Sequence, residues 1–480
     1  MATRRDQAQS WRFLGQRVVS ALVIRDPDPE QPPFRRPLAA AFASLAITVL
    51  LLAGVGVYGL LVPGGNRSWR DGDAVIVVKE TGARYVFVDG RLHPVLNYAS
   101  ALLALERHAP TRTVSRRSLL DVPRGPRLGI PDAPDTLPGP EAVLADGWSL
   151  CSRPPDAGIP AGRSVLLVGA PARDGQPLDD RALLVEVPAT GERQLIWRGH
   201  RHAVAEPETV TAGLALGVEP WTAADAEVVD QIPAGTPIGP IPVAKAGRPS
   251  TAVPGRSDLR AGQLVVASTS GGDSQHFLVT ADALRPITEL QYDIQLAYPR
   301  TTAAYGGTEP VGIALGPALA SRARLAPAAD PGPGAPPASR PEFAAPGRGP
   351  AGVCVTFRGG EFVPEVRIDV RLPAVDPFGD TGGRTAAGLP LADEVHVRPG
   401  HAALVLALPN PQATTGALVL VTDQGRGHPL SGPGVPAMLG YERAVPVRLP
   451  AGLVARVPMG AGLDPVTARA VDPPVGAAGG

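Results

Sequence analysis

One uncharged apolar run dominates the hydropathy pattern: Leu38 to Val62, bracketed by Pro37 and Pro63. At about 1.5 Å of rise per helical residue it reaches roughly 37 Å, enough to cross a bilayer core of about 30 Å with some tilt. Upstream, from Asp6 to Ile24, glycine and proline are missing apart from Gly15. Leu14, Val18, Ala21 and Leu22 recur there at helical spacing, with Trp11 and Phe13 beside them. Arg12, Gln16 and Arg17 fill the opposite side, so the pattern predicts a basic amphipathic helix. It stops at Arg25-Asp26-Pro27-Asp28-Pro29, because proline disfavours helix in the residue before it. Near a membrane such a helix either lies on anionic headgroups or docks on a cytoplasmic partner through Trp11, Phe13, Leu14, Val18 and Leu22.

Beyond the run a hairpin signal recurs four times, at Tyr85–Val95, Gln194–Val204, Phe277–Ile287 and Leu420–Leu430. Each is an apolar strand, a tight polar turn, and a second strand that closes on a basic residue and usually proline. Helical stretches follow the first copy at Tyr98 to Leu105 and the second at Val210 to Leu216, which makes the repeat a ββα-like unit. The uneven spacing argues against a regular solenoid. Gly125 to Pro138 reads as a turn-rich loop, Ser164 to Gly169 and Val353 to Phe357 as strands. Ala326 to Ala351, almost all Pro, Ala, Gly and Ser, reads as a flexible insertion.

These patterns divide the chain into a cytoplasmic tail (1–37), a membrane helix (38–62) and a first repeat region (63–145). A central domain follows from two segments (146–193 and 351–408), with the second and third repeats (194–325) and the insertion (326–350) between them. A fourth repeat (409–470) and a frayed tail (471–480) end it.

Charge changes the picture in one place. Arg4, Arg5, Arg12, Arg17, Arg25, Arg35 and Arg36 precede the span, whereas Arg67 and Arg70 beyond it stand beside Asp71 and Asp73. The positive-inside rule places the short tail in the cytoplasm and the long remainder across the membrane. A cleaved signal peptide would need a shorter apolar core and a small-residue cleavage site. Over the whole chain 45 basic and 45 acidic residues cancel, so no global field points to nucleic acid. Hydrophobic residues make up 44 %, enough for a core, while 56 glycines and 56 prolines favour short strands and several modules.

Cys151 and Cys354 are the only cysteines, both beyond the span. Either they bridge, closing a loop of about two hundred residues worth about 4–5 kcal/mol on the chain-entropy model, or they are buried free thiols. Two lone cysteines form neither a redox CxxC pair nor a zinc site.

Catalytic motifs do not assemble. A phosphate-cradling loop needs glycine turns followed by lysine, and neither Lys79 nor Lys245 has that context, which excludes a Walker-type NTPase. No GxSxG elbow exists, and Ser268 to Asp273 reads as a loop. His200 and His202 share a strand face and could grip a metal. However, they occupy the repeat's turn, where His93 and His428 recur with no second ligand beside them. His396 and His401 flank the turn Arg398-Pro399-Gly400, and Glu206, Glu208, Asp179 and Asp180 read as solvated loop charges. No catalytic, cofactor-binding or metal-ligating residue is assigned.

The order of features resembles the EccB family, a core membrane component of type VII (ESX) secretion systems of actinobacteria. The resemblance covers essentially the whole chain. It rests on Arg4-Arg5-Asp6-Gln7-Ala8-Gln9-Ser10-Trp11-Arg12-Phe13, the single span, Gly90 to Leu103, Val122 to Pro131, Trp148-Ser149-Leu150-Cys151, the Cys354 strand and Ala392 to Val405. It implies a mixed α/β chain with one N-terminal membrane helix and an elongated, β-rich periplasmic part, in which four ββα-like repeats surround a disulfide-tied central domain. It also implies partners: EccC (an FtsK/SpoIIIE-like motor ATPase), EccD, EccE, a mycosin protease and further copies of the chain. The family's repeats look like peptidoglycan-binding modules, and some members have been described as ATPases, which the missing Walker lysine opposes here. The expectation is a structural subunit of the inner membrane without a cofactor. Its rivals are a nucleotide hydrolase with a noncanonical site and a free-standing peptidoglycan-binding anchor.

Overall fold

A computed structural model of the chain describes residues 3–23, 25, 35–61, 68–155, 162–268, 274–328, 331–347 and 352–471. The chain divides into two compact units: Met1–Leu92 with Pro110–Gly125, and His93–Ala109 with Pro126–Gly480.

The first unit contains both N-terminal helices. Arg4–Val23 forms the amphipathic helix, and Arg35–Leu61 the long apolar one. The latter starts ahead of Pro37, which is tolerated because the first N–H groups of a helix have no intrahelical partner. Its stretch Ala39–Tyr58 is long and apolar enough to cross a membrane. Further on, strand Val75–Val78 pairs antiparallel with Arg84–Val88 and parallel with Thr111–Val114. The hairpin into strand Arg91–Pro94 turns at Asp89 (φ 50°) and Gly90 (φ 74°), the doubly left-handed pair that a two-residue turn needs. Trp69, Ile76, Val78, Leu92, Val114, Leu119 and Val122 form its core, with Trp69 edge-on to Phe87 at 5.6 Å.

All four repeats follow one strand plan. A first strand precedes the hairpin, and after the helix a fourth strand returns parallel to the first, so the sheet order is third, second, first, fourth. In the second repeat these are Leu183–Val187, Glu192–Trp197, His200–Ala203 and Thr222–Ala223. In the third they are Leu264–Ser268, Ser274–Val279, Leu284–Ile287 and Ile313–Leu315. The fourth uses Ala402–Leu408, Ala417–Thr422, Gly427–Pro429 and Val447–Pro450. The helix supplies the crossover that a parallel return requires. Each repeat thus carries two strands more than the hairpin and helix legible in sequence.

In the second unit a six-stranded central sheet runs Glu394–His396, Arg163–Leu167, Trp148–Arg153, Gly352–Phe357, Glu365–Val370, Gln176–Pro177. Strand alternation gives it two faces. Trp148, Leu150, Val355 and Phe357 join one large core with Leu183, Val185 and Ile196 of the second repeat and Val405, Val419 and Leu449 of the fourth. Cys151, Val165, Cys354 and Val370 form a smaller cluster.

Two boundaries move relative to the sequence reading. Leu183–Val187 and Glu192–Trp197 belong to the second repeat's sheet, and Ala402–Leu408 to the fourth's, where Ala402 and Ala403 also pair with Val143 and Leu144. Short apolar runs announce a strand but not its sheet. The insertion is corrected as well. Of its described residues (326–328 and 331–347), the stretch 331–347 is not a free linker but is held by backbone bonds to the second and third repeats, including Ala182 N–H to Glu342 O at 2.8 Å. A Gly/Pro-rich composition lowers the cost of an extended, non-helical path without preventing it from being pinned. Of the tail, only Val471 lies within the described residues, opposite Leu128.

Candidate functional site

The cysteines face each other across antiparallel strands. Cys354 stands opposite Cys151 in the register of Gly352–Phe357 and Trp148–Arg153. They form a disulfide across a separation of 203 residues, with both fully buried. The free-thiol alternative is thereby removed.

The amphipathic helix leaves its apolar face open. Trp11 is 80 % exposed and Leu22 78 %, and Phe13, Leu14 and Val18 are exposed too. A face of that size on an isolated chain is suited to cover by a membrane surface or another protein.

The histidines of the repeats have a definite structural task. His93 Nδ1 lies 2.9 Å from Pro126 O, His202 Nδ1 2.8 Å from Thr236 O, and His428 Nδ1 3.0 Å from Ala461 O. A carbonyl only accepts, so Nδ1 carries the proton and donates in each case. The acceptor lies 33, 34 and 33 residues downstream. There a Pro-x-Gly-x-x-[Leu/Ile] segment recurs as Pro123 to Leu128, Pro233 to Ile238 and Pro458 to Leu463. The segment lies parallel to the third strand, for example through Arg201 N–H to Pro233 O at 2.9 Å and Gly427 N–H to Pro458 O at 3.0 Å. A Cβ on Gly235 would meet the His202 ring at 2.5 Å, and one on Gly460 the His428 ring at 2.7 Å. Histidine and glycine therefore form a latch that closes the repeat. The motif at constant distance from the hairpin histidine was the available sequence signal.

His200 Nδ1 meets Arg198 O at 3.1 Å while His202 meets Thr236 O, so the two rings serve separate carbonyls. No group of three or more potential metal ligands occurs among the described residues. Burial pushes the pKa values of His202 and His428 below 6.5; the carbonyl bonds oppose this, and nearby His200 and Arg426 reinforce it.

His396 and His401 do not act together. His401 Nδ1 contacts Pro399 O at 2.9 Å, while His396 Nε2 lies 3.2 Å from Glu394 Oε2. Glu394 is fully buried and also faces Arg153 at 3.4 Å and Arg163 at 3.6 Å, the latter paired with Asp380 at 2.7 Å. These charges join the ends of three central strands, and no local motif announced them. Nearby Asp225 accepts from Ser152 Oγ at 2.8 Å. Burial, reinforced by Asp393 and Glu227, pushes its pKa up to about 6.

The remaining candidates stay separate. Lys79 follows strand Val75–Val78, and Lys245 sits in a turn at φ 58°. Asp180 binds Arg198 at 2.7 Å, Asp179 and Glu206 occupy left-handed turn positions, and Glu208 is in the first turn of Pro207–Gly213. From Ser268 to Asp273 only Ser268 is among the described residues.

This whole plan is matched by a family model, "Type VII secretion system ESX-1, transport TM domain B", over residues 1–473. The chain belongs to the EccB family. Relatives include the protein called ESX-2 secretion system ATPase EccB2 of Mycobacterium tuberculosis, 31 % identical over 278 residues, or 56 % of this chain and 54 % of that protein. The ESX-3 secretion system ATPase EccB3 of Mycolicibacterium smegmatis is 31 % identical over 325 residues, covering 64 % and 58 %. The matched stretches thus span little more than half the length of these curated relatives. Over its full extent the chain is similar to one in an intact ESX-5 inner membrane complex, at 25 % identity and TM-score 0.65, covering 99 % of this chain and 96 % of the other. It shares its fold with an EccB3 dimer from the ESX-3 core complex, at 24 % identity and TM-score 0.62, covering 83 % and 100 %.

Proposed function

We propose that the chain is a structural membrane subunit of an ESX secretion complex, anchoring and scaffolding protein export. The likeness of the whole chain to a component of an ESX-5 inner membrane complex carries this reading. The single long apolar helix and a core shared by the central sheet with two repeats suit an anchor and a rigid scaffold. The arginines around the span favour a cytoplasmic N-terminus with the repeats in the periplasm. On this reading EccC, EccD and EccE surround the chain, a mycosin joins at the periplasmic side, and the exposed face of Arg4–Val23 docks within the assembly. The EccB3 dimer from an ESX-3 complex supports self-association.

Extraction of C-terminally tagged chain in mild detergent, followed by native electrophoresis and mass spectrometry, tests this. A megadalton particle containing an FtsK-like ATPase and polytopic partners is expected. A lone monomer or dimer, under conditions that keep other membrane complexes intact, overturns it.

The names of the relatives favour a second reading, ATP hydrolysis. It would need a site unlike a Walker loop. Turnover by the purified chain that persists through rigorous contaminant controls would support it; a flat baseline would sink it.

A further inference from the structure

The third repeat departs from the latch. Where the others carry His93, His202 and His428 it has Arg285, and where they carry Gly125, Gly235 and Gly460 it has Ala326. The first rung of the closing segment survives, with Leu284 N–H to Arg324 O at 2.7 Å and Ala326 N–H to Leu284 O at 2.9 Å.

From Pro331 the described chain runs over the second repeat instead. Thr236 N–H, in that repeat's own latch, donates to Gly334 O at 2.8 Å, and Gly334 lies so near His200 that a Cβ would stand 3.2 Å from the ring. Further along, Leu290 N–H at the head of the third repeat's helix Glu289–Ala297 donates to Ala338 O at 3.0 Å. Ala182 N–H then donates to Glu342 O, and Ala344 N–H to Ala182 O at 2.7 Å. Arg340 fixes the middle of this path. Its Nε donates to Leu214 O at 2.7 Å, its Nη2 to Glu219 at 2.5 Å, and its guanidinium lies 5.0 Å from the Phe343 ring centre. Below, Val210 and Leu214 of the second repeat share one core with Leu290 and Ile294 of the third, and Phe343 packs against it.

We propose that residues 331–347 are a clasp that locks the second and third repeats into one rigid element, with Arg340 as its pin. A carbonyl at a helix end, a carboxylate and an aromatic face all converge on one guanidinium, and the backbone bonds on either side reach both repeats. Arginine alone offers the planar set of donors this needs. The third repeat, lacking its own histidine and glycine, sends its chain to close against its neighbour.

The test uses full-length chain in detergent, with spin labels at Thr190→Cys and Asp282→Cys, exposed hairpin turns of the two repeats. The native cysteines are bonded and take no label. Arg340→Ala should broaden the distance distribution between the labels. It should also accelerate amide exchange at Ala182, Leu290 and Ala344 by about tenfold or more, as expected for losing charge-assisted hydrogen bonds. The strands carrying Cys151 and Cys354 should exchange unchanged. An unaltered distance distribution and unaltered exchange overturn the clasp. If Arg340→Ala does not fold, Glu219→Gln leaves the other two contacts of the guanidinium in place. Loss of protection at the same amides then supports the clasp, and retention overturns it.

Discussion

The second and third repeats share a strand order but close differently. In the second, a buried histidine reaches over a glycine to a carbonyl 34 residues away. In the third, arginine and alanine occupy those places, and the downstream chain is bonded to the second repeat. The difference teaches that hairpin, helix and return strand set the unit's topology, while its autonomy depends on the segment that follows. Glycine at that point is required by the ring above it, and where the ring is gone alanine is admitted.

The sharpest break is steric. Gly235→Val or Gly460→Val puts side-chain atoms into the histidine ring and should cost about 3 kcal/mol of local stability, the scale of overpacking in a closed core. Ala326→Val in the third repeat should stay within about 0.5 kcal/mol, as for an ordinary partly exposed site. Amide exchange read peptide by peptide is the suitable measurement, because a chain of several modules has no single unfolding free energy. Equal effects in the two repeats would refute the latch.

Next in size is removal of the ring. His202→Ala or His428→Ala should cost about 2 kcal/mol, from a lost hydrogen bond, an unpaired buried carbonyl and a cavity. Arg285→Ala should cost little. Exchange at Gly235 and Ile238, whose N–H groups bond to Arg201 O and Ala203 O, reports the opening directly.

Much of this architecture was legible from residues alone. The apolar helix follows from length and composition, and helix Tyr98–Leu105 from its run of small and apolar residues, whereas its cap, Asn97 accepting from Ser100 N–H at 2.9 Å, is seen only in the structure. The turn at Asp89-Gly90 follows from residue type, and the cysteines left only two possibilities. What escaped reading was whatever depends on distant partners. Leu183–Val187 is a strand by composition, but only its pairing with Glu192–Trp197 assigns it to the second repeat. Glu394 meets Arg153 at a separation of 241 residues, so no spacing rule could couple them. Arg340 looked like one charge in a proline-rich stretch, since nothing local reveals that the carbonyl of Leu214 is 126 residues behind it. The Pro-x-Gly latch was visible in the letters, yet its meaning needed the ring that stands over the glycine.

A pH series separates the repeats from the central sheet by sign. For buried His202 and His428 the folded state disfavours the proton, so below about 6.5 the unfolded chain binds more protons. Their contribution is complete above that value and declines as pH falls below it. Asp225 behaves oppositely. With its pKa held up to about 6 against 3.8 for the free group, the folded state binds the extra proton, so its contribution grows as pH falls from 6 towards 3.8. Protection factors, with the intrinsic pH dependence of amide exchange divided out, should therefore fall at the latch amides on acidification and rise around Ser152 and Asp225. Asp225→Asn should abolish only the second trend, and the third repeat, with Arg285, should lack the first. Latch protection factors that stay constant between pH 7 and about 5 would contradict the buried-histidine assignment.

The smallest expected effect sharpens the comparison most, because it attempts to turn one repeat into the other. Arg285→His with Ala326→Gly restores both latch residues in the third repeat, leaving the clasp residues 331–347 untouched. A hydrogen bond contributes about 1 kcal/mol net, and an added glycine gives back a similar amount in chain entropy, so the double variant should be nearly neutral. The single variants should differ in sign from any coupling between them: Arg285→His alone meets a methyl group under the ring, and Ala326→Gly alone gains only flexibility. A favourable coupling of about 1 kcal/mol in this cycle, read by exchange at Leu284 and Ala326, would mean that histidine and glycine suffice to build the latch. Strict additivity would mean that the later rung of the closing segment, made in the second repeat by Ile238 N–H to Ala203 O, is needed before the ring can find its carbonyl.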